Sequence, residues 1–122
     1  MNYKEFISNE VEKYKKNIEK PKERVKELIT EVDLDIDPVV IVEIEKSPEV
    51  LDEYSPTLLV FHEKLDSFID FIEDSMEESK DKKEKLKLKE LKEQSTLIFN
   101  YFTIGIDSIA HKLGAEAKEV FG

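Results

Sequence analysis

The stretch of residues 95–113 places the strongest constraint on the fold, because the chain concentrates its apolar surface there. Between residues 97 and 106, only Asn100, Thr103 and Gly105 interrupt the apolar side chains. A helix on the protein surface needs a polar face, so a helix that is apolar on nearly every side is expected in the interior. The stretch therefore predicts the central helix of a small helical bundle.

A second helix is predicted immediately before this stretch. Apolar residues recur at helical spacing across residues 58–76, and acidic residues occupy the opposite face. Residues 77–85 contain no apolar side chain, and Asp81 begins a capping box there. We therefore predict a long antiparallel helical hairpin, with helices at about 56–79 and 82–113.

The hairpin has a predicted C-terminal end at Gly114, and one long unbroken helix is the alternative to it. Gly114 is typical of a residue that terminates a helix, so we expect the second helix to end there. A single unbroken helix is also possible, since no glycine or proline lies between Pro56 and Gly105. We favour the hairpin, because the phase of the apolar residues slips before Leu91.

At the N-terminus, Asn2 and the apolar stripe that follows it predict an amphipathic helix. The stripe continues in the same phase through Pro21 as far as Val32. One interpretation is a pair of helices, 2–20 and 21–32, with the proline at the first position of the second helix. The other is one helix that is kinked at the proline. We favour the pair, packed against the hairpin with one shared apolar stripe.

The connecting segment contains three dipeptides that are typical of helix starts, and these predict short helices separated by sharp turns. They are Asp37-Pro38, Ser47-Pro48 and Ser55-Pro56. The β-branched run 39–44 favours a strand by propensity. Such a strand could pair only with a second copy of itself or with the short stretch 34–36, so we predict a helix.

Composition restricts the class of protein. The 122 residues suit one domain, 1–122. Charged residues make up 39%, mostly glutamate and lysine, a balance that resembles hyperthermophile proteins. The net charge of −10 opposes nucleic-acid binding, since cations supply most of that affinity. With no cysteine, no signal-peptide hydrophobic region and no membrane-length apolar run, we expect a cytoplasmic protein that does not insert into membranes.

One group of acidic residues resembles part of a calcium loop. Asp33, Asp35 and Asp37 alternate along the chain like the first three ligands of such a loop. The positions that require glycine and glutamate hold Pro38 and Ile44 instead. We therefore interpret this segment as a linker whose carboxylates face water.

A second group forms an acidic row on the predicted helix 56–79. Asp66, Asp70 and Asp74, continued by Glu78, are spaced four residues apart. Such a row could bind the metal of a nucleotide-hydrolysing helical bundle, but those sites take matching acids from a second helix. The facing helix is expected to offer lysines, so we interpret the row as a solvated face and expect no metal or cofactor.

The two histidines are expected to lie apart. In the predicted hairpin, His62 is level with Phe99 or Asn100 and about 18 Å from His111 along the helix axis. This separation argues against a metal shared by the two imidazoles. We expect a structural hydrogen bond between His62 and Asn100 across the hairpin.

The run Phe61-His62-Glu63 resembles the phosphoacceptor segment of histidine kinases. In that family the imidazole is the nucleophile and the adjacent acid assists proton transfer. The resemblance implies phosphotransfer through His62 with assistance from Glu63. Asp66, one turn along the same helix, and Asn100, across the predicted hairpin, are further candidate catalytic residues because of their place near His62. Asp66 departs from the pattern, which has a threonine or asparagine at this position.

A narrow polar row crosses the apolar stretch of residues 95–113. It consists of Asn100, Thr103, Asp107 and His111. We expect a pocket, if there is one, to follow this row. Gly105 lies next to it and marks a place where another backbone or a ligand could approach closely.

Taken together, these patterns predict a non-enzymatic helical bundle that acts by self-association or by binding another protein, with a homodimer as the preferred form. The hairpin carries more apolar surface than short flanking helices can cover, and the run 39–44 is a second candidate contact. The alternatives are a phosphotransfer protein that uses His62 and a metal-dependent nucleotide hydrolase that uses the Asp66, Asp70 and Asp74 row.

Overall fold

Four α-helices make up the fold in a computed structural model that describes residues 2–32, 36, 39–53 and 57–121. The helices are α1 (Tyr3–Glu31), α2 (Val39–Glu53), α3 (Thr57–Glu78) and α4 (Lys82–Phe121). No strand occurs among the described residues, so the run 39–44 is helical and belongs to α2. This arrangement confirms the prediction of a small all-α bundle.

The predicted hairpin is formed by α3 and α4, which run antiparallel on either side of a turn at residues 79–81. Asp81 caps α4, because its Oδ1 accepts a hydrogen bond from the Lys83 backbone N–H at 2.9 Å. Asn2 caps α1 in the same way, accepting from the Glu5 N–H at 2.8 Å. The capping residues in the sequence therefore predicted both helix starts correctly.

Helix α1 lies antiparallel to α4. Arg24 in the second half of α1 contacts Glu90 near the start of α4. Phe6 at the start of α1 lies near the later part of α4, where the Lys112 ammonium is 6.0 Å from the centre of its ring. The Arg24 guanidinium donates hydrogen bonds to both carboxylate oxygens of Glu90. These hydrogen bonds lower the pKa of Glu90. The single arginine of the chain therefore joins the two longest helices.

Three aromatic rings meet at the centre of the bundle, one from each long helix. Phe102 of α4 makes edge-to-face contacts with Tyr14 of α1 and Phe61 of α3, with ring centroids 5.6 Å and 4.5 Å apart. Helix α2 packs against α1 and α3, and its Leu51 reaches Gly105 of α4. The core thus includes side chains from all four helices.

The expected break of α1 at Pro21 is wrong, because α1 is one continuous helix and not a pair at 2–20 and 21–32. Proline in a helix interior costs about 3 kcal/mol through a lost hydrogen bond and a steric clash. Pro21 lies on the buried stripe between Ile18 and Val25, where its ring contributes to the core. Burial of the whole stripe against the bundle offsets that cost.

A new helix at Ser47-Pro48 is also wrong, since both residues lie inside α2 and are buried. Pro48 lacks the N–H that would bond the Ile44 carbonyl. The Ser47 hydroxyl donates to that carbonyl instead, at 2.6 Å. The predicted starts at Asp37-Pro38 and Ser55-Pro56 lie outside the described residues.

The C-terminal end of α4 differs from the prediction as well. The helix continues through Gly114 to Phe121, and Gly114 does not adopt the left-handed conformation of a helix-terminating glycine. A glycine inside a helix costs only about 1 kcal/mol relative to alanine, so it does not oblige a helix to end.

The apolar stretch at residues 95–113 is buried on one broad side rather than on every side. Ile98, Phe102 and Ile109 are fully buried, whereas Leu97 and Ile104 are 39% and 58% exposed. The neighbouring helices cover only the face of α4 that points into the bundle. Three large apolar residues of this stretch therefore remain exposed, since Leu113 is 41% exposed as well.

Candidate association surface

The candidate nucleophile His62 is half-buried in α3 and lies against the Phe99 ring, with centroids 4.4 Å apart. Its Nε2 is 3.0 Å from Thr103 Oγ1, and the Thr103 hydroxyl donates to the Phe99 carbonyl oxygen at 2.9 Å. A hydroxyl has one hydrogen, so Thr103 can only accept from His62. This order of donors requires the neutral imidazole tautomer with its hydrogen on Nε2.

This partner differs from the expected one, since Asn100 is exposed and His62 bonds Thr103. The estimate of which residues lie level agrees with the contact between His62 and Phe99. Side chains on a helix are tilted toward its N-terminus, so in an antiparallel pair the side chains of the two helices are tilted in opposite directions. Side-chain partners are thereby displaced by up to one helical turn from residues that lie level.

The predicted acidic site residues do not assemble into a metal centre. Glu63, Asp66, Asp70 and Asp74 are all exposed on α3. Across the described ranges, no group of three or more histidine, aspartate or glutamate side chains is arranged to hold a metal ion. The three aspartates at 33–37 lie outside those ranges.

The predicted polar row lies mostly on the surface. Asn100, Asp107 and His111 are exposed, and Thr103 is the member that contacts another helix. Gly105 is indeed a place of close approach, because a Cβ atom built there would lie 3.0 Å from Leu51 Cδ2. The close neighbour is thus a core side chain from α2.

A wide apolar groove lies instead between α2 and α3, with a volume of about 760 Å³. We call it the α2–α3 groove; it is lined by Ile36, Val39, Val40, Glu43, Val60, Glu63, Lys64, Ser67, Phe68 and Phe71. Val60 and Phe71 are 49% and 46% exposed. Another groove, between α1 and α2, is lined chiefly by lysines and glutamates. Of these two, the α2–α3 groove is the one that offers apolar side chains.

The sequence contained a signal for this groove that the main apolar stripe of α3 obscured. Val60 and Phe71 are eleven residues apart, about three helical turns, so they lie on one row. That row is separate from the buried stripe of Phe61, Leu65 and Ile72. The run 39–44 is a candidate contact by its sequence, and two of its valines line the groove.

Charge is distributed unequally over the helices around this groove. Helix α3 has seven acidic residues and one lysine, and α2 has five acidic residues and one lysine, for net charges of −6 and −4. Helices α1 and α4 have net charges of +1 and +2. The negative charge of the protein is therefore concentrated on the two helices that form the groove.

Acidic side chains border the apolar row directly. Residues three apart on a helix are neighbours on its surface. Glu63 follows Val60 by three residues, and Asp74 follows Phe71 by three. Together with Asp70 between them, they form an acidic ridge along the solvent side of the groove. Within the described part of the chain, the ion pairs of α3 involve only Lys64 and Glu73, so the ridge carboxylates are unneutralised.

Comparison with known proteins adds no relative, since no family model, curated protein or solved structure matches this chain. Within the described residues, no helix combines the length and apolar character that crossing a membrane requires.

Proposed function

We propose that this helical bundle acts by protein–protein association through the α2–α3 groove, binding either a protein partner or a second copy of itself. The observation that supports this is the row of Val60 and Phe71, two large apolar side chains about half exposed in one concave surface. Contiguous exposed apolar surface in a concave site is a common feature of protein interaction sites.

The contacts of His62 favour this function over phosphotransfer. A nucleophilic nitrogen needs a free lone pair and access to the phosphoryl donor. The His62 ring is held on α4, because its Nε2 is 3.0 Å from Thr103 Oγ1 and one side of the ring lies against Phe99; only Nδ1 keeps a lone pair, and these contacts limit its reach to a phosphoryl donor. We interpret these contacts of His62 as structural ones that hold α3 against α4.

The proposal is tested by two neighbouring substitutions on α3. Val60→Asp places a carboxylate in the groove, where it would be desolvated on binding, whereas Leu59→Asp changes a residue that is 66% exposed and does not line the groove. Tagged proteins expressed in their native cells are purified, and the bound proteins and the mass of the complexes are measured.

We expect wild type and Leu59→Asp to retain the same associated protein, or the same self-complex, and Val60→Asp to lose it. Both substituted side chains are exposed in the free protein, so circular dichroism should show wild-type helix content for each. Association that is equal for Val60→Asp and Leu59→Asp would contradict the proposal.

A further inference from the structure

The α2–α3 groove requires an occupant that is both apolar and basic, because its apolar row is bordered by an acidic ridge of Glu63, Asp70 and Asp74. Charge complementarity of this kind sets the orientation and the choice of partner. A surface with both properties exists on this same chain, at the start of α4.

The first turns of α4 carry an exposed leucine surrounded by lysines. Leu86 is 68% exposed, the largest exposed fraction among the large hydrophobic residues that are described. Lys82 and Lys83 precede it by four and three residues, and Lys89 follows by three, so all three adjoin it on the helix surface. All three lysines are exposed. This surface is thus apolar at its centre and basic at its edges.

The spacing of apolar residues also corresponds between the two surfaces. Leu97 lies on the same outer row as Leu86, eleven residues further along α4, and is 39% exposed. Val60 and Phe71 in the groove are separated by the same eleven residues. Both rows are therefore about 16 Å long and can lie against each other.

We infer that the α2–α3 groove of one copy binds the row of Leu86 and Leu97 on α4 of a second copy, with the lysines around Leu86 facing the acidic ridge. The inference rests on the proposed function and names the occupant. The contact joins two different surfaces. Two copies can make it reciprocally about a two-fold axis, which closes the dimer, or make it once, which leaves a free groove and a free row from which assembly continues as the concentration rises.

Each surface can be disabled separately with an aspartate. Val60→Asp disables the groove and Leu86→Asp disables the α4 row, while Leu59→Asp is the matched control on α3. Sedimentation and light scattering then give the mass of each protein, and of an equimolar mixture of the two disabled variants, at concentrations of 1 to 200 μM. Circular dichroism checks that all variants are folded.

We expect wild type and Leu59→Asp to increase in mass with concentration above the 14.3 kDa of one chain. Val60→Asp and Leu86→Asp should each remain monomeric when alone. Their mixture should form a complex of twice the monomer mass and no larger, because only one intact groove and one intact row are available. Added salt should weaken this complex, because it screens the charge pairs.

Three results would overturn the inference. They are a wild-type protein that is monomeric throughout, Leu86→Asp that assembles like wild type, and a mixture that remains monomeric while wild type assembles. A monomeric wild type whose groove variant still loses a protein partner in native cells would overturn this inference and leave the proposed function intact.

Discussion

Ser47 Oγ lies 2.6 Å from the Tyr14 hydroxyl and 2.6 Å from the Ile44 carbonyl oxygen, in a fully buried position between α1 and α2. The Ser47 hydrogen is donated to Ile44, so the Tyr14 hydroxyl must be the donor to Ser47. One serine thus replaces the N–H that Pro48 lacks and also satisfies the Tyr14 hydroxyl. Burial raises the pKa of Tyr14 well above its usual value.

Replacing Ser47 with alanine should be more damaging than its size suggests. The Ile44 carbonyl and the Tyr14 hydroxyl would both be left buried without a partner, at a cost of about 2–4 kcal/mol in unfolding free energy. Tyr14→Phe removes one hydroxyl and leaves the bond of Ser47 to Ile44 intact, so it should cost about 1 kcal/mol. Urea unfolding of both single variants measures these costs.

The double variant tests whether the two residues act together. In the Tyr14→Phe background, Ser47→Ala leaves only the Ile44 carbonyl without a hydrogen-bond partner. The loss of unfolding free energy caused by Ser47→Ala should therefore be smaller there by about 1 kcal/mol or more. Equal costs of Ser47→Ala in both backgrounds would show that the hydrogen bond does not contribute to stability.

The two glycines of α4 should respond oppositely to alanine. A methyl group at Gly114 would meet no described atom within 4 Å outside its own stretch of helix, so Gly114→Ala should raise the unfolding free energy by about 0.5–1 kcal/mol through helix propensity. Gly105→Ala brings the new methyl group to 3.0 Å from the Leu51 side chain. Overpacking of about 1–3 kcal/mol should outweigh the same gain in propensity.

Thermal unfolding of the two glycine variants and of wild type gives this comparison. Combining Gly105→Ala with Leu51→Ala should relieve the overlap, so that the glycine substitution becomes favourable in that background. A Gly105→Ala protein as stable as Gly114→Ala would contradict the close packing of α2 on α4.

Ser95 is fully buried in α4, and its hydroxyl has no hydrogen-bond partner among the residues described. Ser95→Ala should therefore be neutral or stabilising, by up to about 1 kcal/mol, because it removes an unsatisfied polar group. Ser67→Ala at an exposed position on α3 is the control, with an expected change within about 0.5 kcal/mol. Destabilisation by Ser95→Ala in urea unfolding would show that this hydroxyl has a partner.

The ion pair of Arg24 and Glu90 should make stability depend on acidity. Its hydrogen bonds lower the pKa of Glu90 in the folded state, so the folded protein binds this proton less readily than the unfolded chain. The contribution is fully present above the unfolded pKa of glutamate and is lost as the pH falls through the folded value.

Urea unfolding of wild type and Glu90→Gln from pH 7 to pH 3 measures this contribution. Wild type should be the more stable protein at pH 7, and the difference should shrink as the pH falls. Glu93→Gln, at an exposed position on the same helix, is the control and should leave the pH dependence unchanged. A constant difference between wild type and Glu90→Gln would contradict the role of this pair.

The tautomer of His62 gives a spectroscopic test of the contact between α3 and α4. Since the Thr103 hydroxyl donates to Phe99, the neutral imidazole of His62 should carry its hydrogen on Nε2. Nitrogen chemical shifts of the labelled ring at alkaline pH distinguish the two tautomers. Replacing Thr103 with valine removes the acceptor and should therefore abolish the preference for the Nε2–H tautomer. An Nδ1–H tautomer in the wild-type protein would show that the Thr103 hydroxyl donates to His62 instead.

Periodicity was sufficient to predict α1, α3 and α4, because each apolar stripe reports the face that is buried, whereas α2 was predicted as a helix because a strand at 39–44 would have few possible partners. The proline rule failed at Pro21 and Pro48, since it treats proline as a local break. Both prolines lie on buried stripes, and tertiary packing offsets their local cost. The unbroken phase of the stripe through Pro21 was the better predictor.

Side-chain partners were harder to predict than helices. The choice of Thr103 over Asn100 depends on the lean of side chains within an antiparallel pair, which residue counting omits. The α2–α3 groove depends on how α2 packs across α3, and no local pattern specifies that packing. The sequence contained two partial signals for it: the run 39–44, which is predicted as a candidate contact, and the row of Val60 and Phe71, which the main stripe of α3 obscured.

Site-specific photo-crosslinking tests the central claim, association through the α2–α3 groove, most directly. A benzophenone amino acid replaces Val60 inside the groove or Leu59 next to it, and native cells expressing each protein are irradiated. We predict a discrete crosslinked species from position 60, identified by mass spectrometry as a protein partner or a second copy, and little or none from position 59. Absence of a crosslink at position 60, or equal yields from both positions, would contradict the claim.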